Sequence, residues 1–181
     1  MRFRDIPPFG ATVVEPEPNV DERGLFARLF DVEAFRSHNL PTEYTQASAS
    51  HNRQKGTLRG LHYQVEPHAE GKLVRCTAGV IFDVIVDVRL GSPSFGRWRS
   101  FELSAQNRLT LFVPPGLAHG FVTLTDDAEI FYQMTRPQVP AAERGVIWND
   151  PDLAIAWPLE PAVMSERDKR LPRLKSSSTG P

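Results

Sequence analysis

"LVRCTAGVIFDVIVDVRL", residues 73–90, is the stretch whose reading decides the fold class. It is dense in β-branched Val and Ile, which fit a pleated, half-buried surface better than a helix. From Val80 onward it alternates: Ile81, Asp83, Ile85 and Asp87 lie on one side, Phe82, Val84, Val86 and Val88 on the other. A period of two belongs to a strand, because successive side chains point to opposite faces of a sheet. One face is solidly apolar; the other is mixed and suits the wall of a polar cavity. The same vocabulary recurs in "LTLFVPP" (109–115), "GFVTLT" (120–125) and "AEIFYQMT" (128–135), each bounded by Gly, Pro or Asp. Sixteen prolines and twelve glycines leave little room for long helices. The best helix candidate is "DVEAFRSHNL" (31–40), where Asp31 can cap the start and Val32, Phe35 and Arg36 fall at helical spacing. No internal repeat is apparent. Many short strands with frequent turns predict an all-β sandwich or barrel, one domain over residues 1–181, with the polar tail "KSSSTGP" (175–181) frayed.

The composition narrows the function classes. The chain has 181 residues, enough for one core, and a formal net charge of −1 from 21 basic and 22 acidic residues. A nucleic-acid binder shows a basic excess or stripe, and neither is present. The opening "MRFRDIPPFG" has no apolar signal core, and no long apolar run offers a membrane span, so a cytoplasmic protein is expected. Cys76 is the single cysteine, which excludes an internal disulfide and a cysteine zinc cluster; it reads as a small buried apolar side chain.

Chemistry concentrates in "GTLRGLHYQ" (56–64), which raises three readings of His62: metal ligand, packed core side chain or working base. The metal reading has a foothold, because "PPGLAHGF" (114–121) carries the Pro-x-Gly-x-x-His form found in the second metal motif of double-stranded β-helix (cupin) proteins, with His119 as its histidine. The first motif of such a site supplies a His-x-His pair and a carboxylate. Here the chain reads His62-Tyr63-Gln64, so the second histidine is missing, and two histidines make a poor transition-metal site. No metal is therefore expected. The core reading suits His38, His51 and His68 as structural or exposed residues. His62 differs, with Arg59, Gln64 and Lys72 around it in sequence. A base there needs a partner to fix its tautomer and stabilise the imidazolium, and Asp83, Asp87, Asp150 and Asp168 are all candidates that spacing does not separate.

Further motifs run in order along the chain: "GKLVRC", "FDVIVDVR", "SPSFGRW", "PPGLAHGFVTL", "FYQMT", "ERGVIWNDP" and "MSERD". With "GTLRGLHYQ" this series resembles the dTDP-4-dehydrorhamnose 3,5-epimerase family, collinearly from about residue 12 to residue 174. The resemblance implies a jelly-roll cupin with a few short helices, a homodimer that exchanges sheet between subunits, and no metal or other cofactor. It implies a nucleotide-linked 4-keto-6-deoxy sugar as substrate, dTDP-linked, with no nucleic-acid or membrane partner. Hydrogens at C3 and C5 of such a sugar are both alpha to the C4 ketone, and removing either gives an enolate on O4. By resemblance His62 is the base, Asp168 its orienting partner and Tyr132 the acid on the opposite face. Without the family match Tyr132 would read as a core aromatic. A phenol with an ordinary pKa of about 10 still donates to a strongly basic enolate. Lys72 matches the residue that stabilises the enolate oxygen, and His119 a histidine that holds the sugar. Arg59 and Arg23 would contact the diphosphate, as guanidinium forks suit phosphate oxygens. Gln46 and Ser48 would lie near the nucleotide, and Phe26 near its base, with the Arg23–Phe26 segment lent by a neighbouring subunit.

The chain departs from the best-known members at Arg28, where they carry Glu, at Ser48, where they carry Asn, and at Arg136-Pro137-Gln138, where they carry an aromatic pair. Competing readings are a 3-only or 5-only epimerase, a 3,4-ketoisomerase, a non-catalytic sugar-nucleotide-binding cupin and a metal-dependent oxygenase. The complete acid/base set speaks for epimerisation, and the missing ligands speak against the oxygenase.

Overall fold

The decisive stretch folds as two strands rather than one. Gly79 (φ +72°) turns the chain in its middle, and the halves enter different sheets. A Cβ at Gly79 would sit 2.3 Å from the Thr125 hydroxyl and 3.1 Å from Ala128 Cα, so the crossing leaves no space for a side chain. The computed structural model describes residues 1–177.

In chain order the strands are β1 (Arg2–Ile6), β2 (Ala11–Glu15), β3 (Asn19–Asp21), β4 (Gly24–Phe26), β5 (Gln46–Asn52) and β6 (Leu58–Gln64). They continue with β7 (Lys72–Ala78), β8 (Val80–Asp87), β9 (Trp98–Ser104), β10 (Thr110–Val113), β11 (Leu117–Thr123), β12 (Ala128–Met134) and β13 (Glu143–Gly145). A six-stranded sheet runs β1-β2-β10-β7-β12-β5 and a five-stranded sheet β13-β6-β11-β8-β9; β3 and β4 pair as a separate hairpin. The strand pairs within these sheets are antiparallel. This is the jelly roll of the cupins, all-β as expected. The helix expected over 31–40 forms as α1 (Val32–Ser37), with the Asp31 carboxylate accepting from the Ala34 N–H. Residues 175–177, the start of the tail expected to fray, belong instead to a turn of helix, α2 (Leu174–Ser177), anchored by Leu174, which is buried and whose N–H donates to Asp150. The rest of that tail, 178–181, lies outside the described residues.

The alternation in β8 sorts as its sequence implies. Ile81 and Ile85 join Val74, Cys76 and Ile130 in the core between the sheets. Val84 and Val86 face outward under Val146, Leu153 and Leu174, with Phe82 and Trp157 packed alongside. The outer face of the six-stranded sheet is closed by Phe35 and Leu40 on Leu73 and Phe112. Both sheets are thus packed on the outside as well as between them, and residues of both sheets also line a cavity. Cys76 is wholly buried, and burial pushes its thiol up to about 11, so it is an inert core residue. Among the described residues no helix is long and apolar enough to cross a membrane.

Candidate active site

The strand that carries His62 is irregular at the point that matters. Opposite β11, β6 pairs His62 with His119 and Arg59 with Phe121, so two residues of β6, Gly60 and Leu61, oppose the one residue Gly120 of β11. This β-bulge breaks the two-residue alternation and brings Arg59 to the same cavity as His62. Gly60 is at the bulge with φ +130°, and a Cβ there would come within 2.5 Å of Gly120 Cα. Glycine is therefore required at both positions of the crossing. The Gly60 N–H, released from the ladder, points to Asp168 Oδ2 at 3.4 Å.

Asp168 sits in a short 3₁₀ turn, Asp168–Arg170, and its Oδ1 lies 2.7 Å from His62 Nε2. Burial pushes the Asp168 carboxyl up, but the hydrogen bond and charge of His62, with Gly60 N–H and Ser165, outweigh it and hold the group below the usual carboxylate range. A charged Asp168 accepts a hydrogen bond from Nε2–H and so leaves Nδ1 with its lone pair, the form a general base needs. Of the four candidate partners, Asp168 alone reaches His62. Asp83 instead lies 2.7 Å from His119 Nε2, Asp87 is held by Arg89, Ser92 and Ser94, and Asp150 accepts from Asp152 and Leu174 N–H groups.

The cavity has a volume of about 700 Å³. His62, Arg59 and His119 enter it from the five-stranded sheet, and Tyr132, Lys72 and Ser48 from the six-stranded one. Burial, reinforced by the Asp83 carboxylate and opposed by Arg59, raises the Tyr132 phenol well above its usual range, so it stays protonated. Its ring meets His119 edge-on at 6.2 Å between centroids. Lys72 Nζ is 3.0 Å from Glu70 Oε1 and donates to the His62 carbonyl at 3.2 Å. Arg59 Nε donates to Asn52 Oδ1 at 2.7 Å, which leaves the rest of its fork toward the cavity.

Three of the expected contacts lie elsewhere. Gln46 does not line the cavity; its Oε1 accepts from the Gln138 N–H at 2.7 Å. Arg23 and Phe26 are on the β3–β4 hairpin, where Arg23 is paired with Asp21 and Phe26 is 72% exposed. Several lining residues escaped the sequence reading: Glu70, Glu143, Arg167 and Met164. Glu143 is partly buried, yet its bonds to Gln138 and Arg167 hold its carboxyl low, and Arg167 pairs with it at 2.6 Å. Arg167 had one available signal, its place beside Asp168 in "MSERD"; Glu70 had its place two residues before Lys72. Among the described residues no group of three or more His, Cys, Asp and Glu side chains converges as metal ligands do.

A jelly roll that sets a carboxylate-held histidine on one sheet against a buried phenol on the other belongs to the cupin isomerases that move protons. Residues 7–176 match the family model described as dTDP-4-dehydrorhamnose 3,5-epimerase, and the chain belongs to that family. A dTDP-4-dehydrorhamnose 3,5-epimerase from Sinorhizobium fredii is 44% identical over 175 residues, covering 96% of this chain and 90% of the relative. The crystal structure of the dTDP-6-deoxy-D-glucose-3,5-epimerase from Legionella pneumophila in complex with dTDP-4-keto-L-rhamnose superposes with a TM-score of 0.90 at 38% identity, covering 96% and 93% of the two chains. A 3'-monoepimerase from Streptomyces bikiniensis in complex with dTDP-quinovose is similar too, with a TM-score of 0.90 at 36% identity over 96% and 88%. The protein is an enzyme of the isomerase class.

Proposed function

We propose that the protein converts dTDP-4-dehydro-6-deoxy-D-glucose to dTDP-4-dehydro-L-rhamnose by inverting C3 and C5 through enolates. The observation that carries this reading is the placement of His62 with Asp168 on one sheet and Tyr132 on the other, across one cavity. A sugar ring held between the sheets meets a base on one face and an acid on the opposite face, which inversion requires. His62 Nδ1 takes the proton from C3 or C5, and the C–H electron pair moves into the bond to C4 and onto O4. Lys72 donates a hydrogen bond to that oxygen as charge develops there. Tyr132 returns a proton to the carbon from the other face; solvent then resets both groups. Arg59 binds the diphosphate, His119 the sugar, and Ser48 the nucleotide side of the cavity.

The whole chain is read as one domain, because the cavity needs both sheets. The protein works as a homodimer in the cytoplasm and uses neither metal nor other cofactor. Support for the dimer comes from the hairpin: Val20 and Phe26 are 73% and 72% exposed, and Arg23 stands away from its own cavity. Arg23 and Phe26 then complete a neighbour's site, while Gln46 backs Gln138 at the rim of its own cavity, on the nucleotide side. A second reading, inversion at C3 alone, has one specific support in the likeness to the Streptomyces bikiniensis 3'-monoepimerase. Incubation with dTDP-4-dehydro-6-deoxy-D-glucose in heavy water, with NMR location of the deuterium, tests both. Label at C3 and C5 with the L-rhamno product is expected; label at C3 alone would replace the first reading by the second.

A further inference from the structure

Glu70 is a buried carboxylate that the acid/base scheme does not use. Its side chain is 6% exposed, it lines the cavity, and Oε1 lies 3.0 Å from Lys72 Nζ. Oε2 is buried with no hydrogen-bond partner among the described residues. Buried polar groups are nearly always satisfied, and one left half-satisfied calls for a reason. Here the anion is retained at the cavity wall for a single bond, and that bond is to the amine that faces the developing O4 charge.

The local frame is built to hold this contact. Gly71, between Glu70 and Lys72, is bonded both ways to Thr135: its N–H donates to the Thr135 hydroxyl at 2.8 Å, and its carbonyl accepts from the Thr135 N–H at 3.0 Å. A Cβ on Gly71 would stand 3.1 Å from the Phe112 ring, so the turn lies tight on the core. An ammonium has three N–H bonds. Glu70 takes one and the His62 carbonyl, at 3.2 Å, takes another. The third is left for the cavity.

We propose that Glu70 is a positioning residue: it fixes the lysine stem and rotor so that the remaining N–H of Lys72 points where O4 becomes an oxyanion. This rests on the reading of Lys72 as the donor to O4. What matters on this view is an acceptor at the right reach rather than the negative charge itself. Glu70→Gln keeps the reach and an acceptor oxygen, whereas Glu70→Asp keeps the charge and withdraws it by one methylene.

The test measures kcat and KM for the dTDP-4-keto sugar, and the rate of deuterium wash-in, for both variants alone and on a Lys72→Ala background. A melting curve checks that each is folded. Glu70→Gln is expected to stay within about threefold of the parent, and Glu70→Asp to lose about 10- to 100-fold in kcat with KM little changed, the scale of a misplaced catalytic group. On the Lys72→Ala background Glu70→Asp should cost nothing further, because the group it positions is gone. Equal losses in the Gln and Asp variants, no loss in either, or losses that multiply with Lys72→Ala would each overturn the assignment. Should Glu70→Asp fail to fold, Glu70→Ala decides: a loss of about tenfold or more in kcat that vanishes on the Lys72→Ala background supports the proposal, and no loss, or a loss that multiplies with Lys72→Ala, overturns it. Wild-type wash-in by Lys72→Ala alone would instead remove the Lys72 role, a failure read from a different protein.

Discussion

Two histidine–aspartate pairs stand side by side in this molecule, and they differ above all in access. His62 and His119 are register partners on β6 and β11, and each offers Nε2 to a carboxylate oxygen at 2.7 Å. The side chains of His62 and Asp168 are 34% and 5% exposed; those of His119 and Asp83 are 5% and 0% exposed. The same hydrogen bond therefore serves two ends. In the open pair it prepares a ring whose other nitrogen can meet a ligand. In the closed pair it keeps a buried carboxylate in company, and Asp83 Oδ1 still has no hydrogen-bond partner among the described residues. Composition does not make a base; access does.

The largest expected effect separates the pairs by activity. His62→Ala should abolish wash-in at both carbons, a loss of about 10²- to 10⁴-fold or more. Its melting temperature should move little, because His62 is partly exposed and Asp168 keeps the Gly60 N–H. Near-wild-type wash-in in this variant, measured by NMR in heavy water, would reduce His62 to the standing of His119.

Tyr132→Phe sharpens the comparison from the other sheet. Proton removal by His62 remains, while the opposite-face donor is lost, so inversion should fall by about 10²- to 10³-fold as wash-in with retention persists. Loss of both together would place Tyr132 on the base side of the mechanism.

His119→Ala should reverse the pattern of His62→Ala. It strands the Asp83 carboxylate in the interior, and breaking such a pair typically costs about 3 kcal/mol or more of stability. Activity in the cold, folded enzyme should fall only about tenfold, mainly through KM, as a lost binding contact does. Urea unfolding beside steady-state kinetics reads both quantities. A stable but inactive variant would show that His119 is the working residue.

The smallest effect concerns a carboxylate with no histidine at all. Asp87 is wholly buried; burial raises its pKa, but bonds from Arg89, Ser92 and Ser94 outweigh this and hold it at about 2, against 3.8 for the free group. A depressed carboxylate stabilises the fold above its unfolded pKa and loses that contribution as pH falls through the folded value. Stability should therefore decline between pH 3.8 and about 2. Asp87→Asn should cost about 1–2 kcal/mol at neutral pH, leave turnover unchanged, and flatten that part of the acid limb. Acid titration of the urea midpoint checks it, and an unaltered limb would assign the acid sensitivity to Asp168 and Glu143 instead.

Much of this was legible in the chain. The alternation through β8 determined a strand with one apolar and one mixed face, because a period of two admits no other regular structure. Asp31 announced α1, since a cap is a matter of neighbours three residues away. The ordered motifs around His62, His119, Tyr132 and Asp168 determined the family. What the sequence could not decide was every pairing set by strand register rather than by neighbourhood. Asp168 is 106 residues from His62, and Asp83 is 36 from His119; nothing in those spacings assigns which carboxylate holds which ring. The bulge at Gly60, which turns Arg59 onto the face of His62, exists only against β11. Glu70 reads as an ordinary surface acid until β7 and β12 bury it beside Lys72. Gly79 looks like a pause within one strand until the sheets separate around it. Local chemistry is written in local sequence, whereas access, partnership and burial arise when distant strands share a face, and that is a property of the packed sheets alone.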